Sequence, residues 1–170
     1  MPTDLTPVIS ACAQWLLAAY PPPAGALNYA LAEAQARQAA ALAARLRYPT
    51  GIDVQLLHLC GPGGADLLDV LTGRDPYEDA TPWRTWVDET VVSWAACLLS
   101  DRSLAIRARQ ALTTTEHRTE TSGLQRLLDP GTRDSEATTL LRHPDLVEPI
   151  AALHRPQLLE LLHVEAAGTP

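Results

Sequence analysis

The residues 56–68, LLHLCGPGGADLL, hold the densest set of groups that could do chemistry in this chain. Cys60 stands before a glycine-rich turn and a short leucine-rich run. A cysteine just ahead of a helix has its thiolate favoured by the unpaired N–H groups and the dipole of the helix start. Cys60 is therefore a candidate nucleophile, with His117 as a candidate base. Gly61-Pro62-Gly63-Gly64 could instead cradle a phosphate between a strand and a helix. The spacing is neither G-x-G-x-x-G nor a Walker loop, and the chain has no Lys to serve the latter. The plainer reading is a helix stop, a Gly-Pro-Gly turn and a small buried thiol.

The other chemistry-bearing types are scattered. His58, His117, His143, His154 and His163 show no metal-ligand spacing. Glu160 and His163 make one Glu-x-x-His step, whereas di-metal bundles use two such steps and further glutamates. Neither a metal nor a cofactor is expected. His117 lies with Glu116 and Glu120 in residues 113–122 (TTTEHRTETS), which hold no apolar residue. That stretch reads as an exposed polar loop, its histidine in a solvated ion pair. Trp83, Trp86 and Trp94 recur at helical spacing. They suit a core stripe first, and a ligand pocket or interface hot spot second. Arg102, Arg107 and Arg109 form a basic group too small for a nucleic-acid stripe.

Two short resemblances attach to the glycine-rich stretch. Its glycines resemble the first motif of methyltransferases that bind S-adenosylmethionine, which implies an alternating β–α sheet. Gln55 ahead of Cys60-Gly61-Pro62 is similar to the nucleophile region of papain-like cysteine peptidases, which implies a histidine on a strand. The rest of the chain supplies neither pattern, so the chain is assigned to neither family.

The elements that must position these groups are helical. The 170 residues include 27 Ala and 28 Leu against 8 Val and 4 Ile, with no Phe and no Lys. Ala and Leu lose little on entering a helix, and β-branched residues lose side-chain freedom there. The first helix is expected to start with Thr6 as cap and Pro7 in its first turn, and Pro21-Pro22-Pro23 stops it. An Ala-rich second helix follows over residues 24–47, with Leu27, Leu31, Ala34, Leu42 and Leu46 along one stripe. Residues 52–59 alternate like a strand, yet Thr50 and Asp53 form a helix-start pattern, which favours helix. Residues 83–98 read as one continuous helix opened by Thr81 and Pro82, central to the fold and packed on the first two. The octets 141–148 and 153–160 repeat a Leu-x-x-Pro unit, each proline expected to open a helix.

The expectation is a single all-α domain over residues 1–170 with about seven or eight helices and a frayed tail at 165–170. The apolar fraction is too high for a disordered chain, and no apolar run approaches the ~18 residues of a membrane span. The net charge of −7 is concentrated in residues 51–100, which carry eight acids and two Arg. Such a chain is a poor binder of nucleic acid or anionic membranes. Three widely spaced cysteines and the absence of a basic, then apolar, leader suggest a reducing cytoplasm, and the excess of Ala, Arg, Pro and Leu over Lys, Phe, Ile and Asn, as a GC-rich genome gives, suggests a bacterial source. The leading functional expectation is a non-catalytic interaction module with a protein partner or a second copy of itself. Contact is expected through Leu27, Leu31 and Ala34 on the Ala-rich helix, or through Trp83, Trp86 and Trp94. The alternatives are a cysteine enzyme using Cys60 and a small-molecule sensor with a Trp-lined pocket.

Overall fold

The computed structural model describes residues 4–75 and 81–167. Among the described residues every regular element is helical, and there are ten α-helices instead of seven or eight. They are α1 (Thr6–Ala19), α2 (Ala26–Arg47), α3 (Gly51–Cys60), α4 (Asp66–Thr72), α5 (Glu89–Ser100), α6 (Arg102–Ala111), α7 (Gln125–Leu128), α8 (Thr132–Ala137), α9 (Thr139–Arg142) and α10 (Glu148–Ala167). Three of the ten are helices of four to six residues within residues 125–142. Of the expected tail, residues 168–170 lie outside the described residues, as do Glu78 and Asp79 of the acidic middle third.

The frame is α2. Ala32, Gln35, Ala36, Ala39, Ala40, Ala43 and Ala44 are buried at three- and four-residue steps. Small side chains let neighbouring backbones come close, and alanine is the best helix former. Helices α1 and α5 both pack on this face, and α6, α7 and α8 pack on it further along. Two glutamine oxygens on α2 are paired, while the buried Gln35 Nε2 has no hydrogen-bond partner. Gln38 Oε1 accepts the Leu127 N–H at 2.9 Å, and the Thr138 hydroxyl donates to Gln35 Oε1. At the start of α1, the Asp4 carboxylate accepts the Thr6 N–H at 2.8 Å. Asp4, not Thr6, thus supplies the capping side chain, while Pro7 sits in the first turn as expected.

Residues 83–98 are not one helix. A 3-10 turn, Pro82–Trp86, ends at Val87, and α5 starts afresh with Asp88 as its cap, accepting the Thr90 N–H at 2.9 Å. Asp at the cap satisfies a backbone donor that would otherwise be orphaned, and the three-residue step of Trp83 and Trp86 fits a 3-10 turn as well as an α-helix. Every residue from Val91 to Leu99 is buried.

Helix α10 is fastened to α5 by polar stitches. Ser93 Oγ donates to the Ala151 carbonyl (3.2 Å) and accepts the His154 N–H (3.0 Å). The Trp94 indole donates to the His154 carbonyl (3.0 Å), and the Cys97 thiol donates to Ala151 (3.3 Å). Pro156 lies inside α10 and does not open a helix. Its missing N–H leaves the carbonyl four residues back, on the exposed Ala152, to solvent. Pro144, by contrast, does open its element, the 3-10 turn Pro144–Val147.

The most demanding buried group is Asp69. Its side chain is fully buried, accepts the Trp15 indole N–H at 3.0 Å, and pairs with Arg84. The Arg74 guanidinium stands 3.9 Å away. This ties α4 to α1 and to the 3-10 turn. Removing one partner of a buried ion pair strands the other in a poorly solvating medium. We expect Asp69→Asn, which keeps the shape, to cost roughly 3 kcal/mol in urea unfolding. Asp66→Asn, on the exposed side of the same helix, should cost less than about 1 kcal/mol.

Candidate protein-interaction surface

Helix α3 begins at a capping box. Thr50 Oγ1 accepts the Asp53 N–H (3.2 Å), and Asp53 Oδ2 accepts the Thr50 N–H (3.0 Å). This resolves the strand-like alternation of residues 52–59 in favour of helix. Apolar residues occupy two sides of α3. Val54 and Leu57 face the core, while Ile52, Leu56 and Leu59 are 70%, 51% and 82% exposed. At 100° per residue, the last three fall in one narrow stripe facing away from the buried pair. Helix α4 repeats the division. Leu68 and Asp69 point inward, whereas Leu67, Val70 and Leu71 are exposed at i, i+3 and i+4. Scattered exposed leucines are ordinary, whereas these form ordered stripes on two consecutive helices, which makes them candidates for a contact surface.

The rest of the fold holds this surface in place. His58 Nε2 lies 3.0 Å from the Asp4 carbonyl, and its ring meets Trp86 edge-on at 5.6 Å. Gly61 ends α3 with φ +77°, a conformation that favours glycine, and donates its N–H to the Leu57 carbonyl at 2.8 Å. Residues 113–122 are largely exposed, but His117 is buried. Its Nε2 lies 2.8 Å from the Tyr48 carbonyl, so that nitrogen donates. Its Nδ1 is 4.0 Å from Glu120, which pairs with Arg45 at 2.7 Å. Glu116 accepts the Gly51 N–H at 2.8 Å. The polar stretch therefore clamps the junction between α2 and α3, which corrects the expectation of a solvated histidine pair.

The same geometry corrects the placing of Cys60. It is the last residue of α3, at the helix end where carbonyls converge, and not ahead of a helix start. His117, the candidate base, has its ring nitrogens directed at Tyr48 and Glu120. Beside α3, Arg47, Tyr48, Asp53, Leu56, Leu57 and Cys60 line a groove of about 280 Å³. Arg47 stands over the Tyr48 ring there, its guanidinium 5.2 Å from the ring centre.

The sequence-derived contact residues are placed unevenly. Trp94 is buried, with its N–H given to α10. Trp83 and Trp86 are half-buried, and Arg84 stacks over Trp83 at 5.2 Å. The three rings do not form one stripe, because the break at Val87 puts Trp94 on a different helix. Leu27 is 58% exposed at the start of α2, and Leu31 and Ala34 are half-buried. Sequence reasoning missed the α3 and α4 stripes. The signal was present as apolar residues on both sides of a ten-residue helix, but the inward side was undetermined.

Several groups outside this surface have the residue types of catalysis and are held structurally. Glu89 pairs with His154 Nε2 at 2.9 Å, and Ser93 is adjacent, yet Ser93 Oγ bonds the His154 backbone and not its ring. His163, of the Glu-x-x-His step, has Nδ1 3.3 Å from the Arg107 guanidinium, a cation that would oppose a metal. Arg102 is spent on the Leu128 carbonyl and Asp129. No described helix is long and apolar enough to cross a membrane. Comparison with family models, with curated proteins and with solved structures gave no match.

The three cysteines are unpaired, with Cys60 exposed and Cys12 and Cys97 buried. Burial pushes the Cys12 thiol up to about 12 and raises that of Cys97. A thiol reagent should therefore modify one cysteine rapidly in the native protein and the other two only on unfolding. The folded state holds Cys12 protonated, so its contribution to stability is full below the ordinary thiol value of 9.0 and is lost as pH rises from there toward 12. Denaturation curves between pH 8 and 11 should fall more steeply for the wild type than for Cys12→Ala.

Proposed function

We propose that this protein is a helical interaction module that works by holding a partner on the α3–α4 face, without chemistry of its own. The observation that carries this reading is the ordered exposure of Ile52, Leu56 and Leu59 on a helix whose opposite side is anchored in the core. Exposing such side chains costs solvation that a monomer could avoid with polar residues, and a partner that covers them recovers it. Counted over both helices, these six exposed residues present on the order of 600 Å² of surface, against about 800 Å² for one side of a standard interface.

Support also comes from how the surface is held. The capping box, the His58 contacts and the Glu116 clamp fix α3 through polar groups at its ends and flank, leaving the apolar stripe uninvolved in folding. A rigid, preorganised surface loses less entropy on binding. Polar substitution of the stripe should then separate binding from stability. We expect Leu59→Ser with Val70→Ser to shift the unfolding midpoint by less than about 0.5 kcal/mol equivalent. The same pair should abolish any association, with itself or with co-purifying protein, seen by sedimentation velocity and cross-linking. Association that survives both substitutions unchanged would refute the α3–α4 face as the contact.

A further inference from the structure

The polar stretch over the α2–α3 junction has three fastenings, and one of them depends on a proton. The Glu116 N–H donates to the Pro49 carbonyl at 3.2 Å, and the Glu116 carboxylate accepts the Gly51 N–H at 2.8 Å. Neither of these calls on an imidazole. The third is the buried ring of His117. We propose that His117 is a proton-operated latch, whose charged form ties residues 116–120 to α2 and the start of α3 more tightly than its neutral form does.

The tautomer of the ring carries this reading. Nε2 lies 2.8 Å from the Tyr48 carbonyl, which can only accept, so Nε2 bears the hydrogen. Nδ1 of the neutral ring is then a bare lone pair. It faces Glu120 Oε1 at 4.0 Å, beyond hydrogen-bond reach and with no hydrogen to share, because an ionised carboxylate only accepts. Imidazole is the side chain that ordinarily changes charge between about pH 5 and 8. On proton uptake Nδ1 becomes a donor and the ring a cation. A movement of about 1 Å then makes a charge-assisted hydrogen bond to Glu120.

Glu120 is held ready for that bond. Its Oε2 accepts from Arg45 Nε at 2.9 Å and stands 2.7 Å from Arg45 Nη2, which leaves Oε1 turned to the ring. The Glu120 N–H donates to the His117 carbonyl at 2.9 Å and keeps both residues on one turn. The remaining charged groups around the ring have other duties. On α2, Arg45 opposes a second positive charge but shares the Glu120 carboxylate, and Arg47 stands over the Tyr48 ring. The Tyr48 hydroxyl is given to Asp88 of α5, and the Asp53 carboxylate of α3 to Thr50. Glu116 is engaged with Gly51, and the adjacent Arg118 is exposed. Among the described residues, Glu120 is the carboxylate that comes within 4.0 Å of the ring. The latch stands whether or not α3 holds a partner.

The test is NMR of the nitrogen-labelled full-length protein at about pH 8 and about pH 5. We expect the two ring nitrogens of His117 to report the Nε2–H tautomer at the higher pH and the doubly protonated ring at the lower. Hydrogen-exchange protection of the Glu116 and Glu120 amides, corrected for the intrinsic pH dependence of exchange, should rise at least about threefold on going to the lower pH. The Ala96 amide of α5, buried in the core, should not share that rise. Glu120→Gln keeps the shape of an exposed side chain and removes its charge. It should abolish the rise and leave the Nε2–H tautomer in place. A Nδ1–H tautomer at the higher pH overturns the latch, and so does a ring that stays neutral at the lower. Protection that does not change with pH in the unaltered protein, or that rises equally in Glu120→Gln, overturns it as well.

Discussion

Close approach of helices across an alanine face is the constraint on which the rest of this structure depends. With no phenylalanine in the chain, bulk has to come from leucine and four tryptophans. The buried side of α2 answers with side chains small enough for α1 and α5 to lie against it together. A core of this kind is sensitive to added volume, because interiors are close-packed and extra methylenes force strain. The outer helices add polar devices to buried apolar residues such as Leu68 of α4 and Ile150 and Leu158 of α10. The Asp69 cluster fixes α4, the Ser93 and Trp94 stitches fix α10, and the Glu116 clamp fixes the start of α3.

That division of labour links the fold to the proposed function. A helix held by its caps and one buried edge has a whole side left over. On most surface helices that side is polar. On α3 and α4 it carries leucine, isoleucine and valine. The residues that could suggest catalysis are absorbed by the same scheme. His117 holds the α2–α3 junction, Ser93 and His154 join α5 to α10, and Cys60 closes a helix.

The helical class was legible from Ala and Leu, and several boundaries were legible from their chemistry. Thr50 with Asp53 marked the start of α3, and Gly73, with φ +70°, marked the end of α4. Other features were written in the sequence but outweighed. Asp88 is a good cap, yet the apolar spacing from Trp83 to Leu98 runs straight through it. Asp69 is one of the eight acids of residues 51–100, and its partners Trp15 and Arg84 are 54 and 15 residues away. No local pattern announces a pairing at that distance. The α3 stripe was hidden for a different reason. When both sides of a short helix are apolar, periodicity gives two faces and only tertiary packing decides which turns inward.

Methyl-resolved NMR of the isotope-labelled protein, compared between dilute and concentrated samples and with co-purifying protein present, tests the central claim most directly. The account predicts that the methyl signals of Ile52, Leu56, Leu59, Leu67, Val70 and Leu71 shift or broaden together, while those of buried Leu42, Leu98 and Ile150 stay put. Shifts confined to Leu27 at the other end of α2, or spread evenly over exposed and buried methyls, would contradict it.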